Sequence, residues 1–157
     1  MKALIIYDSY FGNTEKIAQA IGAAFNPQEC AGVVRATELK PEQLQNVDLI
    51  IAGSPTRAFR PSEGLTKALN GLPAGALQGK KVAAFDTRIN PDDTNSGFLR
   101  FMVKLFGYAA KPIAGMLKKK GGSLVQQPEG FYVKDSEGPM KDGELERSAR
   151  WAQSLRQ

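Results

Sequence analysis

The chain of 157 residues carries 21 lysines and arginines against 16 acidic residues, no histidine and a single cysteine. That length suits one domain with a proper core, and 42% hydrophobic with 24% charged residues is the make-up of a soluble globular protein. Without histidine there is no Ser-His-Asp or Cys-His hydrolase; with Cys30 alone there is no intramolecular disulfide and none of the usual zinc sites. Chemistry falls to other side chains or to a cofactor. No apolar run approaches the ~18 residues of a membrane span, and the chain opens directly on a strand, so a cytoplasmic location is expected.

In chain order, residues 2–7 read as a buried strand and 14–25 as a helix, with Ile17, Ile21 and Phe25 on one face beside Ala18. The junction, YDSYFGNTEKIA at 7–18, ends a strand in hydroxyls, a glycine and an asparagine before the helix begins. It matches neither G-x-G-x-x-G nor G-x-x-x-x-G-K-S/T, because Gly12 is its one glycine and Lys16 follows a threonine and a glutamate. Residues 32–36 form a short strand, placed at an edge by Arg35, and Val47–Gly53 a strongly apolar one ended by Gly-Ser-Pro. A helix is predicted from about Pro61 to Leu69 with Gly71 past its end, then a buried strand from Lys81 to Phe85.

Residues 95–107 predict a helix with Phe98, Phe101, Met102, Leu105 and Phe106 on one face, a stripe that most simply packs on the sheet; a lid is the alternative. Pro112 opens a further helix closing at Gly121-Gly122, Ser123–Gln127 is the last central strand, and Glu144–Leu155, with Trp151, the closing helix. Between these two, Phe131-Tyr132-Val133 suits a strand fragment. Alternation of apolar strands with helices predicts an α/β fold, a parallel sheet covered on both faces, with ligands at the carboxyl ends of its strands. The loops rich in polar and special residues are Ser9–Thr14, Gly53–Pro61 and Asp86–Pro91, and all three follow strands. One site built from three loops is the economical reading.

Ile5 to Thr14, with Ala18 and Ile21 downstream, resembles the flavodoxin signature. GSPTRAFRPS at 53–62 and FDTR at 85–88 resemble the two loops that flank the flavin in that family. The resemblance spans essentially the whole chain. It implies a single flavodoxin-like domain over 1–157: a three-layer doubly wound sandwich with a five-stranded parallel sheet of order 2-1-3-4-5. It also implies non-covalent FMN, with the first loop wrapped around its phosphate. Ser9, Asn13 and Thr14 offer side-chain donors, Gly12 a close backbone turn, and the helix start unpaired N–H groups with a positive dipole end. A turn with a threonine N-cap and no ligand is the alternative. The cofactor-binding set implied is Ser9, Tyr10, Phe11, Gly12, Asn13, Thr14, Ser54, Pro55, Thr56, Arg57, Ala58, Phe59, Asp86, Thr87 and Arg88, with no catalytic residue and no metal.

Three features depart from the family pattern. Phe11 stands where many flavodoxins have a threonine. The flanking loops lack the usual Trp and Tyr, which leaves Phe59 to stack on the ring or to pack at the loop base. The loop after the fourth strand, Asp86–Pro112, contains a whole helix. Charge departs too: residues 97–157 hold 11 basic and 6 acidic residues and supply the whole net charge of +5. Arg57, Arg60 and Arg88 sit on the flavin loops, where a cation stabilises the anionic reduced flavin and raises its potential; pairing with Asp86, Asp92, Asp93 or Glu63 as surface bridges is the alternative.

The functions that fit are an FMN-binding electron carrier, an FMN-dependent NAD(P)H:quinone-type reductase on the same fold, or a non-catalytic binding module whose basic face meets an acidic partner. A receiver-type phosphoacceptor is excluded, since it needs an acid pair where Asp8 stands alone and an aspartate where Gly53-Ser54 lie. Expected partners are redox proteins with acidic docking faces, and neither nucleic acid nor membrane, for a monomer or weak dimer.

Overall fold

A computed structural model of the chain describes residues 1–93, 96–135 and 137–156; the predicted start of the third helix at Asn95 falls outside them. The strands are β1 (Ala3–Tyr7), β2 (Cys30–Arg35), β3 (Leu49–Pro55), β4 (Lys81–Ile89), β5 (Ser123–Leu124) and β6 (Glu129–Val133). The helices are α1 (Asn13–Ala23), α2 (Glu63–Asn70), α3 (Gly97–Phe106), α4 (Ala110–Lys119) and α5 (Glu144–Ser154). All strand pairs are parallel, in the order β2-β1-β3-β4-β5, as the sequence predicts.

The period of two along the central strands builds both cores. Leu4, Ile6, Ile50, Ala52, Val82 and Ala84 face one way and pack with Leu65 and Leu69 of α2 and Ile113 and Leu117 of α4. Their neighbours Ala3, Ile5, Leu49, Ile51, Ala83 and Phe85 face the other way, onto Ile17 and Ile21 of α1 and Trp151 of α5. A strand buried on both faces must be apolar throughout, which is why β1 and β3 read as continuous runs. β2 is the half-buried edge strand that Arg35 marked.

The sheet differs from the five-stranded expectation in one respect. β5 pairs with Lys81-Val82, and β6 pairs with Phe85–Ile89, so the two lie in succession along the same edge of β4. Pro128 separates them, having no N–H for a ladder. β4 runs four residues beyond its predicted end at Phe85, to Ile89: Asp86 and Thr87 still pair with β3, and Arg88 and Ile89 are held by β6 alone. Phe131 of β6 meets Phe85 and Trp151 edge-on, with centroids 6.1 and 5.8 Å apart, contacts worth about 0.5–1.5 kcal/mol each beyond burial.

Helix α3 does not pack on the sheet. Phe98 is 73% exposed, Phe101, Leu105 and Phe106 are also exposed, and none of its residues is buried. The stripe expected in the core faces outward. Periodicity identifies an apolar face, but here the sheet face is already covered by α2 and α4.

Candidate functional site

Tyr7 ends β1, and the next five residues turn into α1. Gly12 is the N-cap at φ 93°, a conformation that costs other residues about 1–2 kcal/mol. Its N–H donates to Ser9 Oγ at 2.9 Å, and no side chain caps the helix. A threonine N-cap is therefore ruled out, and the first N–H groups of α1 remain open at the positive end of its dipole. Arg35 of β2 fixes the loop from outside, donating through Nη1 to the Ser9 carbonyl at 3.1 Å with Asp8 Oδ1 3.5 Å away. Tyr7 donates its hydroxyl to Glu15; burial and that carboxylate push the phenol's pKa up.

The loop after β3 turns tightly. Arg57 and Arg60 exchange both backbone hydrogen bonds, at 3.0 and 2.9 Å, around Ala58 and Phe59 at φ 49° and 66°. Positive φ at both central residues is the I′ hairpin pattern, which normally takes Asn and Gly. Holding alanine and phenylalanine there stores strain at the mouth of the site. Ser54 is fully buried and turned inward, accepting from the Ser62 N–H at 3.2 Å, while Ser62 caps α2.

From β4, Thr87 Oγ1 lies 2.8 Å from Thr14 Oγ1, joining the first and third loops; one hydroxyl proton serves that contact and the other is left for a ligand. Asp86 is fully buried. Its two oxygens accept from Arg88 Nε at 2.6 Å and Nη2 at 2.7 Å, and Oδ2 also accepts the Ala110 N–H of α4 at 2.8 Å. Burial pushes the Asp86 carboxyl up, and Arg88 with the Ala110 N–H pulls it back. Tyr108 stacks 3.7 Å from the guanidinium, and Gly130 leaves room for it, since a Cβ there would sit 2.0 Å from Arg88 Nε.

The three loops meet around a cavity of about 240 Å³ lined by Ser9, Tyr10, Phe11, Asn13, Thr14, Pro55, Thr56, Arg57, Thr87 and Arg88, with Ile89 and Val133. A second groove of about 220 Å³ adjoins it, sharing Thr56, Arg88 and Ile89. Its other walls are Ala58 and Phe59 of the hairpin turn, Pro91, Leu99 and Val103 of α3, and Tyr108. Of the residues expected from sequence, Gly12 shapes the first loop without lining either space, and Ser54 and Asp86 turn away from both. Ile89 and Val133 join the lining through the β4–β6 pairing, which no local pattern signals; Leu99 and Val103 lie on α3 away from its exposed aromatic stripe, and Tyr108 follows the helix with no motif around it.

Charge in the site is unequal. Arg88 pairs with Asp86, one of the partners named in the surface-bridge alternative, but that carboxylate is buried rather than at the surface. Asp93 pairs with Lys141, and the side chain of Asp92 lies outside the described residues. Arg57 has no carboxylate partner among the described residues and stacks on Tyr10, 4.6 Å from the ring centre. A phosphomonoester at α1 with an apolar plane beyond it matches these groups: open N–H groups and hydroxyls at the helix start, one uncompensated cation lining the cavity, and aromatic and aliphatic walls in the groove.

The flavodoxin domain family matches this chain over residues 4–97. Oxidised flavodoxin 2 from Bacillus cereus superposes with a TM-score of 0.75 at 25% identity, covering 99% of this chain and 98% of that one. Oxidised flavodoxin 1 from the same organism gives 0.71 at 20% identity, with 99% and 97% covered. The rubredoxin oxygen:oxidoreductase from Desulfovibrio gigas gives 0.71 at 21% identity; 98% of this chain matches only 35% of that larger protein.

Proposed function

The chain belongs to the flavodoxin domain family, and we propose that it is an electron carrier whose redox chemistry is done by one non-covalently bound FMN. The observation that carries this reading is the open N-terminus of α1, set by an αL glycine and facing a cavity that the β3 and β4 loops complete. Bound FMN supplies acceptance and return of electrons at its ring. The chain's own residues bind and orient it. The α1 N–H groups with Asn13 and the Thr14–Thr87 hydroxyl pair hold a phosphate, and Arg57 adds positive charge beside the cavity. Phe59, Ile89 and Tyr108 offer apolar and aromatic surface for a planar group and exclude water from it.

No helix among the described residues is long and apolar enough to cross a membrane. The carrier works in the cytoplasm as a monomer or weak dimer, and its excess of cations favours redox partners with acidic faces.

A second reading, an FMN-dependent NAD(P)H:quinone-type reductase, is favoured by the groove between Phe59 and α3, which adjoins the flavin cavity. Purified protein given NADPH and a quinone separates the two. The carrier shows a yellow protein reduced by light with stoichiometric electron uptake and no repeated turnover. Many turnovers per flavin establish the reductase, and a colourless protein that takes up no added FMN refutes both.

A further inference from the structure

Helix α3 has two apolar faces with different fates. Its inner residues Leu99 and Val103 close the groove beside the flavin cavity, and Phe106 reaches Phe59 with ring centroids 5.8 Å apart. Its outer residues Phe98, Phe101 and Leu105 are 73, 59 and 62% exposed. Isolated exposed apolar side chains are ordinary, but a contiguous row on a ten-residue helix is an interaction surface. Arg100 and Lys104 are exposed on the same helix, and residues 97–120 contain no acid.

Apolar centre and cationic edge together define the occupant. A second copy of the chain would bring the same cations and a net charge of +5 to the contact, so like charge opposes self-association. A ten-residue helix is about 15 Å long, so one of its faces makes a small patch of the kind used in brief electron-transfer encounters, below what a permanent oligomer buries. A carrier's electrons must also be exchanged with a centre brought close to its flavin, and Leu99 and Val103 of α3 form one wall of that cleft.

We propose that the outer face of α3 is the docking surface for a one-electron redox protein that presents an apolar patch ringed by carboxylates. This rests on the FMN-carrier reading. In the complex one electron leaves the partner's reduced metal centre, which returns to its oxidised state, and enters the bound FMN; no bond forms or breaks.

The test uses holoprotein with a reduced, acidic plant-type ferredoxin as probe. Binding is measured by calorimetry at low ionic strength and flavin reduction by stopped flow. Phe101→Ser/Leu105→Ser and Arg100→Glu/Lys104→Glu are each expected to weaken binding and slow reduction at least tenfold. Salt is expected to do the same for the unaltered protein. Reduction by the small methyl viologen radical and the melting temperature stay unchanged in all forms. Ferredoxin binding and reduction unaltered in both variants, or no binding by the unaltered protein, overturns the proposal. It is equally overturned if the same residues carry the protein onto phosphatidylglycerol vesicles or into a dimer instead. Bound FMN is confirmed first by its visible absorption: absent flavin refutes the carrier reading itself, whereas bound flavin with an indifferent α3 refutes only the docking surface.

Discussion

Arg57, in the turn after β3, and Arg88, near the end of β4, line the same cavity, yet they present different effective charge to it. Arg88 is held by both oxygens of a fully buried carboxylate, so the pair is close to neutral from a distance. Arg57 is exposed, rests on Tyr10, and keeps its charge. The two substitutions to alanine should therefore separate. Arg57→Ala makes the couple that forms fully reduced flavin more negative by roughly 30–60 mV, the size of one screened charge lining the flavin cavity, with little change in stability. Arg88→Ala leaves Asp86 buried without its cation and costs about 3–5 kcal/mol, read from urea unfolding of the apoprotein. An unchanged potential in the first variant would remove Arg57 from the flavin's surroundings.

The edge formed by β6 and α5 is tied by charge as well as by packing. Arg147 donates to both oxygens of Glu144 at 2.8 Å and to Glu129 at 3.2 Å, and lies 4.6 Å over the Phe131 ring. Glu144 Oε2 also accepts the Tyr132 N–H at 2.8 Å, which joins the first turn of α5 to β6. Burial alone would raise the Glu144 carboxyl; Arg147 and the Tyr132 N–H outweigh it and hold it below the ordinary carboxylate range. A carboxylate with a depressed folded pKa contributes stability that is fully present above its unfolded pKa and is lost as pH falls through the folded one. The melting temperature should fall as the solution is acidified below about pH 4.5, and Glu144→Gln should flatten that fall while lowering stability at neutral pH. Equal acid slopes in the two proteins would show that this carboxylate is not part of the acid response.

At the scale of the whole molecule, the doubly wound order brings the ends of β1, β3 and β4 side by side, so loops separated by more than 70 residues join through the contact between Thr14 and Thr87. Much of this was legible in the sequence. Apolar runs gave the central strands, and the hydroxyls, Gly12 and Asn13 after β1 gave the first loop, because those features are local. What escaped depends on distant partners. β4 reaches Ile89 only because β6 lies beside it, and the charge of Arg88 is offset by the buried Asp86 in a space that Gly130 leaves open and Tyr108 covers. The periodicity of α3 revealed an apolar face but not that the sheet had no room for it.

The central claim is that the β1–α1 loop holds the phosphate of FMN, and it is tested by titrating apoprotein with FMN and with riboflavin while following flavin fluorescence. Several charge-assisted hydrogen bonds at about 1.5–3 kcal/mol each predict one FMN per chain, bound at least about 100-fold more tightly than riboflavin. Equal affinity for the two, or no uptake of FMN, would contradict it.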